Sequence, residues 1–347
     1  MIYMLSYILL VIEGVILEKS TNVKGRHIFL IISYLQLTLI LGLRAQSVGI
    51  DTESYIAYFK LVSLGISGWM EPGITGISKV ILLLGGNQQL LLLICAIVTV
   101  AGFYYFIINT SDDIYLSVLI LYSLNFYFFF FNGIRQSIAM AITSVAIVKI
   151  NREQYYRAIL WVILGMLFHT TASIVFVCIA IKKLKIKYKK NYVYILGILG
   201  IILVIAGRDI VNILSKLYTK YAAYMDSSFG QQGNIINPIL FMCIFVFCSY
   251  YYKRIKNKEN ELLIIMLALG VILYFLSIKV QIVNRLAYFF TISSISLIPN
   301  VIVTFKDQVV LQWRWFIRIC MGIYLFLLIE RNAQGVMPYL FFWSESK

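Results

Sequence analysis

The chain has 347 residues, 61% of them hydrophobic and only 13% charged, with a mean hydropathy of +0.88. These values exclude a soluble globular enzyme and indicate a polytopic membrane protein with no sizeable soluble domain. The net charge of +15 is spread over short loops, so it reports topology and not nucleic-acid binding.

The first apolar run, residues 2–17, holds Glu13 as its one charge and has no small-residue cleavage site after it, so it is expected to be a retained helix. Lys19, Lys24 and Arg26 follow and place that loop in the cytoplasm, with the N-terminus outside. Span two covers 27–43 and exits at Arg44. Residues 44–73 form a first external segment with Asp51 and Glu53, then Tyr55, Tyr58 and Phe59 at helical spacing, then Trp69 and Glu71-Pro72-Gly73. The run 74–84 is too short to cross and is expected to re-enter or to lie in the interface. Spans three and four, 88–108 and 114–131, flank a turn, 109–113, with no Lys or Arg.

Span five opens at the junction 132–136 and ends at Lys149. At helical spacing Asn132, Arg135, Gln136, Ala139 and Thr143 share one face, which suits a polar cavity. Ile134, Ile138, Ile142 and Val145 share another, which suits lipid. A charge costs on the order of 2.5–3.5 kcal/mol at a helix centre in the bilayer and less near an end. Arg135 therefore reads either as an anchor snorkelling to the headgroups or as a functional cation.

The apolar run 158–181 is interrupted by His169-Thr170-Thr171. Arg152 and Arg157 precede it and six lysines between 182 and 190 follow it, so both flanks read as cytoplasmic. A broken helical hairpin with His169 at its apex resolves the conflict, and an ordinary helix with a basic external loop is the alternative. Spans six to ten follow at 191–206, 236–252, 262–278, 286–305 and 316–329, with external segments at 207–234 and 330–347. The expected architecture is all-α: one transmembrane domain over residues 1–347, with about ten transmembrane helices plus the hairpin around His169. The five cysteines lie in apolar runs without zinc-ligand spacing and read as buried apolar residues.

In this topology Arg44, Asp51, Glu53, Arg135, His169 and Arg285 fall at the outer face of the membrane. Each has a structural alternative: a snorkelling arginine, a helix N-terminus favouring carboxylates, a histidine capping a broken helix. As a set they suit a lipid-linked pyrophosphate, because the arginine fork binds two oxygens and stays charged. A histidine or a carboxylate would take the proton of an attacking hydroxyl. No nucleotide-binding loop, H-E-x-x-H helix or G-x-S-x-G elbow is present, so ATPase, metalloprotease and serine-hydrolase chemistry lack a basis.

Several short motifs occur in an order that resembles the EpsG-type family of Wzy-like bacterial polysaccharide polymerases. These are Arg44 with Gly49-Ile50-Asp51, Tyr55 and Tyr58-Phe59; Glu71-Pro72-Gly73; Ile134-Arg135-Gln136-Ser137-Ile138-Ala139; Phe168-His169-Thr170-Thr171-Ala172; Asn284-Arg285 with Tyr288-Phe289; and Pro338-Tyr339. Ile50 stands where the family has Thr, and Thr171 where it has Ser. The resemblance implies a membrane glycosyltransferase that joins undecaprenyl-pyrophosphate-linked oligosaccharide units into capsular or exopolysaccharide at the outer face of a bacterial cytoplasmic membrane. It implies Arg135 and Arg285, with Arg44 as a third, on the pyrophosphate, and His169 or Asp51 as general base. Gln136, Glu53 and Tyr288 would make other substrate contacts. No nucleotide or metal is required, although a divalent cation bridging the phosphates is compatible. The expected partners are the lipid-linked oligosaccharide, membrane lipid and other polysaccharide export components, with no nucleic acid. A flippase of lipid-linked oligosaccharide and a membrane acyltransferase modifying polysaccharide are the alternative readings.

Overall fold

A computed structural model describes residues 1–18, 23–217, 234–255, 258–332 and 334–344. The stretch 218–233, most of the expected second external segment, lies outside the described residues. Among those described there are helices and no strand, and the one extended pairing is an antiparallel bridge between Arg44 and Phe341. In lipid, helices keep every backbone hydrogen bond within the segment, which is why apolar runs of this length fold this way.

In chain order the helices are α1 Ile2–Glu18, α2 Val23–Gly42, α3 Thr52–Ser63, α4 Pro72–Leu83, α5 Gln88–Thr110, α6 Ile114–Ser123, α7 Phe126–Phe129, α8 Ile134–Asn151, α9 Tyr155–Met166, α10 Phe176–Lys183, α11 Tyr192–Leu217, α12 Ile236–Tyr250, α13 Lys258–Ser277, α14 Asn284–Thr291, α15 Ser294–Ile302 and α16 Asp307–Arg331. Their starts follow the sequence signals: Asn87 and Asp113 accept the N–H of Leu90 and of Leu116, each at 3.1 Å, and Pro72 opens α4. Four helices among the described residues are long and apolar enough to cross a membrane: α2, α5, α13 and α16. The pair Gln281–Thr291 and Ser294–Ile302, bent by 46°, meets the same criterion jointly. Large apolar side chains stand exposed along α1 (Leu5, Ile8, Leu9, Ile12, Ile16) and along α16 (Phe316, Ile319, Ile323, Phe326). Exposed apolar stripes of this extent belong in lipid.

Five expectations change. Span four is not continuous: α6 ends at Ser123, and Asn125 in the left-handed region (φ 64°) starts the short α7. Span nine is likewise two helices. The helix of span six runs on to Leu217, and that of span ten starts at Asp307, because its charged first half is neutralised by neighbours. The face of α8 assigned to lipid is buried: Ile134, Ile138 and Ile142 are all covered by protein. An apolar face in a membrane chain is equally at home against lipid and against another helix, so periodicity alone does not separate them.

The chain divides into two compact units. Unit 1 comprises 1–150, 154–173 and 306–347, and unit 2 comprises 151–153 and 174–305. In unit 1, Tyr3, Tyr122, Tyr127, Phe128 and Phe131 form a buried aromatic cluster. One end of this unit carries a charge network: Glu18 pairs with Arg314 and Arg318, and Arg314 Nε donates to Asp113 Oδ2 at 2.8 Å. The turn that lacks basic residues of its own thus draws its cation from α16. At the other end, Asn132 Nδ2 donates to Gln334 at the backbone oxygen (2.8 Å) and at Oε1 (2.6 Å). Unit 2 is built around α13, with a buried Asn300 Nδ2 donating to Asn260 Oδ1 at 2.8 Å.

Candidate functional site

The site grows from the turn that precedes α8. Phe131 O accepts from Arg44 Nη2 and from the Thr52 hydroxyl, at 3.3 and 3.2 Å. Asn132 Oδ1 accepts the Asp51 backbone N–H at 3.3 Å. Gly49 makes this possible. Its φ is +96°, and a Cβ there would stand 2.9 Å from Phe131 O, so only glycine lets the 49–51 turn press against this backbone. The first residues of α3 and of α8 are thereby held side by side.

A second approach brings in α4. The Gly73 N–H donates to Leu167 O at 2.8 Å, and a Cβ on Gly73 would meet that oxygen at 2.8 Å and the Phe168 ring at 2.8 Å. The N-terminus of α4 therefore sits directly on the 167–169 break. Here the apolar run leaves α-helix after Met166 and resumes as a 3-10 turn over Thr170–Val175. Tyr58 and Thr75 share a hydroxyl hydrogen bond of 2.6 Å, and the Thr75 hydroxyl donates to Glu71 O at 3.2 Å, which fixes Glu71 from behind.

These contacts bring three charged or titratable side chains together. Glu71 Oε2 accepts from Arg135 Nη1 in an ion pair. Glu71 Oε1 lies 3.9 Å from His169 Nδ1, and the same ring nitrogen is 3.2 Å from Thr171 Oγ1. The Arg135 side chain is 28% exposed, Glu71 18% and His169 19%, so the cluster is sheltered yet reachable. Tyr55 completes it: the Arg135 backbone N–H donates to the phenol oxygen at 3.4 Å, and the guanidinium lies 5.9 Å from the ring centre. Burial holds the Tyr55 hydroxyl above its ordinary range, only partly offset by Arg135, so it stays a neutral phenol. Arg135 Nε is buried with no hydrogen-bond partner among the described residues. A guanidinium with one edge on a carboxylate and an unmet buried donor is prepared for an anion.

The expected residues divide as follows. Arg135 and His169 come together. Asp51 forms the N-cap position of α3, close to Tyr55, whose electrostatics it affects. Glu53 is in the first turn of α3 and exposed. Gln136 is buried, with Nε2 at 4.0 Å from Met140 Sδ. Arg44, expected on the pyrophosphate, is 1% exposed. Its guanidinium is spent on protein: Leu41 O, Phe131 O and, at 3.3 Å, Thr52 Oγ1, with the Phe131 ring 5.1 Å away. Such a cation at the C-terminal end of α2 is a brace that answers the helix's unpaired carbonyls. Arg285 opens α14 and Tyr288 is buried in it, against Tyr274. Both belong to unit 2, and the cluster described here draws on unit 1 alone.

Glu71 was legible only as a motif position. Sixty-four residues separate it from Arg135, and nothing in its own neighbourhood marks it as their shared partner. The weak signal was a carboxylate one residue before a helix-opening proline. Among the described residues no group of three or more His, Cys, Asp or Glu side chains is placed to hold a metal.

An all-helical fold with apolar exposed stripes, and an Arg–Glu–His cluster at a helix break, defines a membrane protein with a sheltered polar cluster. The chain matches the EpsG family across residues 27–341 and belongs to it. No curated protein and no solved structure matches the chain. The family links it to polysaccharide biosynthesis, with a polymerase-like, glycosyltransferase-like role.

Proposed function

We propose that the protein polymerises oligosaccharide repeat units carried on undecaprenyl pyrophosphate, at the outer face of a bacterial cytoplasmic membrane that the chain crosses about ten times, with the 158–184 segment as a broken hairpin. Capsular polysaccharide or exopolysaccharide is the product, and other export components are its partners. The observation that carries this reading is the unmet buried donor of Arg135 beside a reachable histidine.

The chemistry follows from the residues. The acceptor sugar's hydroxyl gives its proton to His169 while its oxygen forms a bond to the donor's anomeric carbon. The bond from that carbon to the pyrophosphate oxygen breaks, and its electron pair leaves with undecaprenyl pyrophosphate. Arg135 binds the pyrophosphate and takes up charge as the leaving group departs, an interaction stronger in the transition state than in the ground state. The energy of the new glycosidic bond comes from the lipid pyrophosphate, so no nucleotide enters. Asp51, at the N-cap of α3, is the alternative base in this reading.

The test is to supply the purified protein in detergent with a lipid-linked repeat unit. A ladder of product with release of undecaprenyl pyrophosphate is expected. Arg135→Lys should lose most of it, since lysine keeps the charge and lacks the fork. Absence of a ladder, with translocation of the lipid-linked unit in vesicles, would refute the reading in favour of transport.

A further inference from the structure

Glu71 occupies a position that neither the motif order nor the proton-transfer scheme explains. One oxygen holds Arg135 and the other faces His169 Nδ1 at 3.9 Å, too long for a hydrogen bond and well inside the range of charge interaction. The carboxylate is anchored behind its own backbone by Thr75 and stands at the N-terminus of α4, so only its side-chain torsions separate the two partners. Among the described residues the groups near the pair include Arg135 from α8, Tyr55 from α3 with Asp51 at its cap, and the Thr171 hydroxyl beside the histidine.

Resting on the reading above that His169 accepts the acceptor's proton, we infer that Glu71 is a positioning carboxylate which Arg135 holds in the free enzyme and releases to His169 when pyrophosphate takes the guanidinium. Two consequences follow from elementary chemistry. The Thr171 hydroxyl can either donate to Nδ1 or accept from it, so it leaves the histidine tautomer open. A carboxylate can only accept. Near Nδ1 it favours the proton there and places the lone pair on Nε2. The carboxylate also stabilises the imidazolium that forms as the proton arrives. The enzyme without substrate thus holds a weaker base. The base strengthens as the donor binds, which ties proton removal to the presence of the leaving group.

The experiment uses the full-length protein in detergent, the lipid-linked repeat unit as substrate and inorganic pyrophosphate as binding probe. Glu71→Gln should slow polymerisation by about a hundredfold in kcat without raising KM, and should bind inorganic pyrophosphate at least as tightly as the native protein, because Arg135 is no longer claimed. A carboxylate next to histidine raises the pH at which the ring deprotonates, and the base acts only when neutral. Loss of Glu71 should therefore move the acid limb of the rate profile to lower pH by about one unit or more. Glu71→Asp, which keeps the charge, should return the limb toward its native place. A purely structural Glu71 would lower yield or melting temperature and leave the limb unmoved, and that result would overturn the inference.

The chain has two histidines, and His27 is exposed near the start of α2. A His27→Gln protein labelled with 15N-histidine reports His169 alone, and needs no change at Glu71. A neutral ring protonated at Nε2 with pyrophosphate bound would also overturn the inference, even if Glu71→Gln fails to fold. Failure of the underlying reading looks different: His169→Asn would then keep both rate and acid limb.

Discussion

Replacing Arg44 by methionine separates a brace from a ligand. Three hydrogen bonds from a charged donor disappear, to Leu41 O, Thr52 Oγ1 and Phe131 O, along with the contact over the Phe131 ring. Bonds to charged groups contribute about 1.5–3 kcal/mol each, which sets a ceiling of several kcal/mol. The loss is smaller than that ceiling, because methionine refills part of the volume. Leu41 O, at the end of α2, loses its cation outright. One charged bond plus a cation–π contact of about 0.5–2 kcal/mol gives a net cost of about 2–5 kcal/mol. Arg44→Lys should recover only part of it, since one ammonium cannot reach three acceptors arranged for a fork. The assay is thermal unfolding of the purified protein in detergent, with pyrophosphate binding measured per folded molecule. A large drop in melting temperature with unchanged binding is expected. An Arg44→Met protein that melts normally and no longer binds pyrophosphate would refute the bracing role and return Arg44 to the substrate.

Three further outcomes follow from the packing. Gly73→Ala pushes a methyl into Leu167 O and the Phe168 ring; it should separate Glu71 from His169 and slow polymerisation by about tenfold or more, and a native rate in the ladder assay would show that the turn yields harmlessly. Arg314→Met leaves Asp113, whose side chain is 1% exposed, without its cation and should cost on the order of 3–5 kcal/mol. Adding Asp113→Asn should restore part of that, which a double-mutant cycle on unfolding measures. Cysteines placed at Arg152 and Lys185 in a Cys-free background should both be labelled from the cytoplasm; labelling of position 185 alone from outside would remove the hairpin.

Where apolar runs are long and bounded by Gly, Pro or charge, the elements were legible: α2, α5 and α8 lie within a few residues of their expected places. The breaks inside spans four and nine were not. Asn125 is the only breaker at the first, and Ile292-Ser293 carries no signal at all. Within a bilayer the surrounding helices set such bends, and their contacts are invisible along the chain. The site was half legible for the same reason. Arg135 and His169 stand out because charge and imidazole are rare in apolar runs. Arg44 stood out equally, yet its buried guanidinium is bonded to Leu41, Thr52 and Phe131, and Glu71 passed as a landmark although it pairs with Arg135 and lies 3.9 Å from His169. Unusual residue type signals that a position matters, and only the spatial partners say for what.

The connection of Asn132 to Gln334, with the Arg44–Phe341 bridge beside it, has a consequence for how the protein is made. Unit 1 takes its last strip of chain, 306–347, from the far side of a segment of more than a hundred residues that belongs to unit 2. A ribosome delivers the parts in order, so in the turn that positions Arg135 the Asn132 side-chain N–H groups wait for Gln334 while 174–305 is inserted. The nascent protein is in the membrane well before it has a finished site. During that interval Arg135 stands beside a turn that still lacks Gln334.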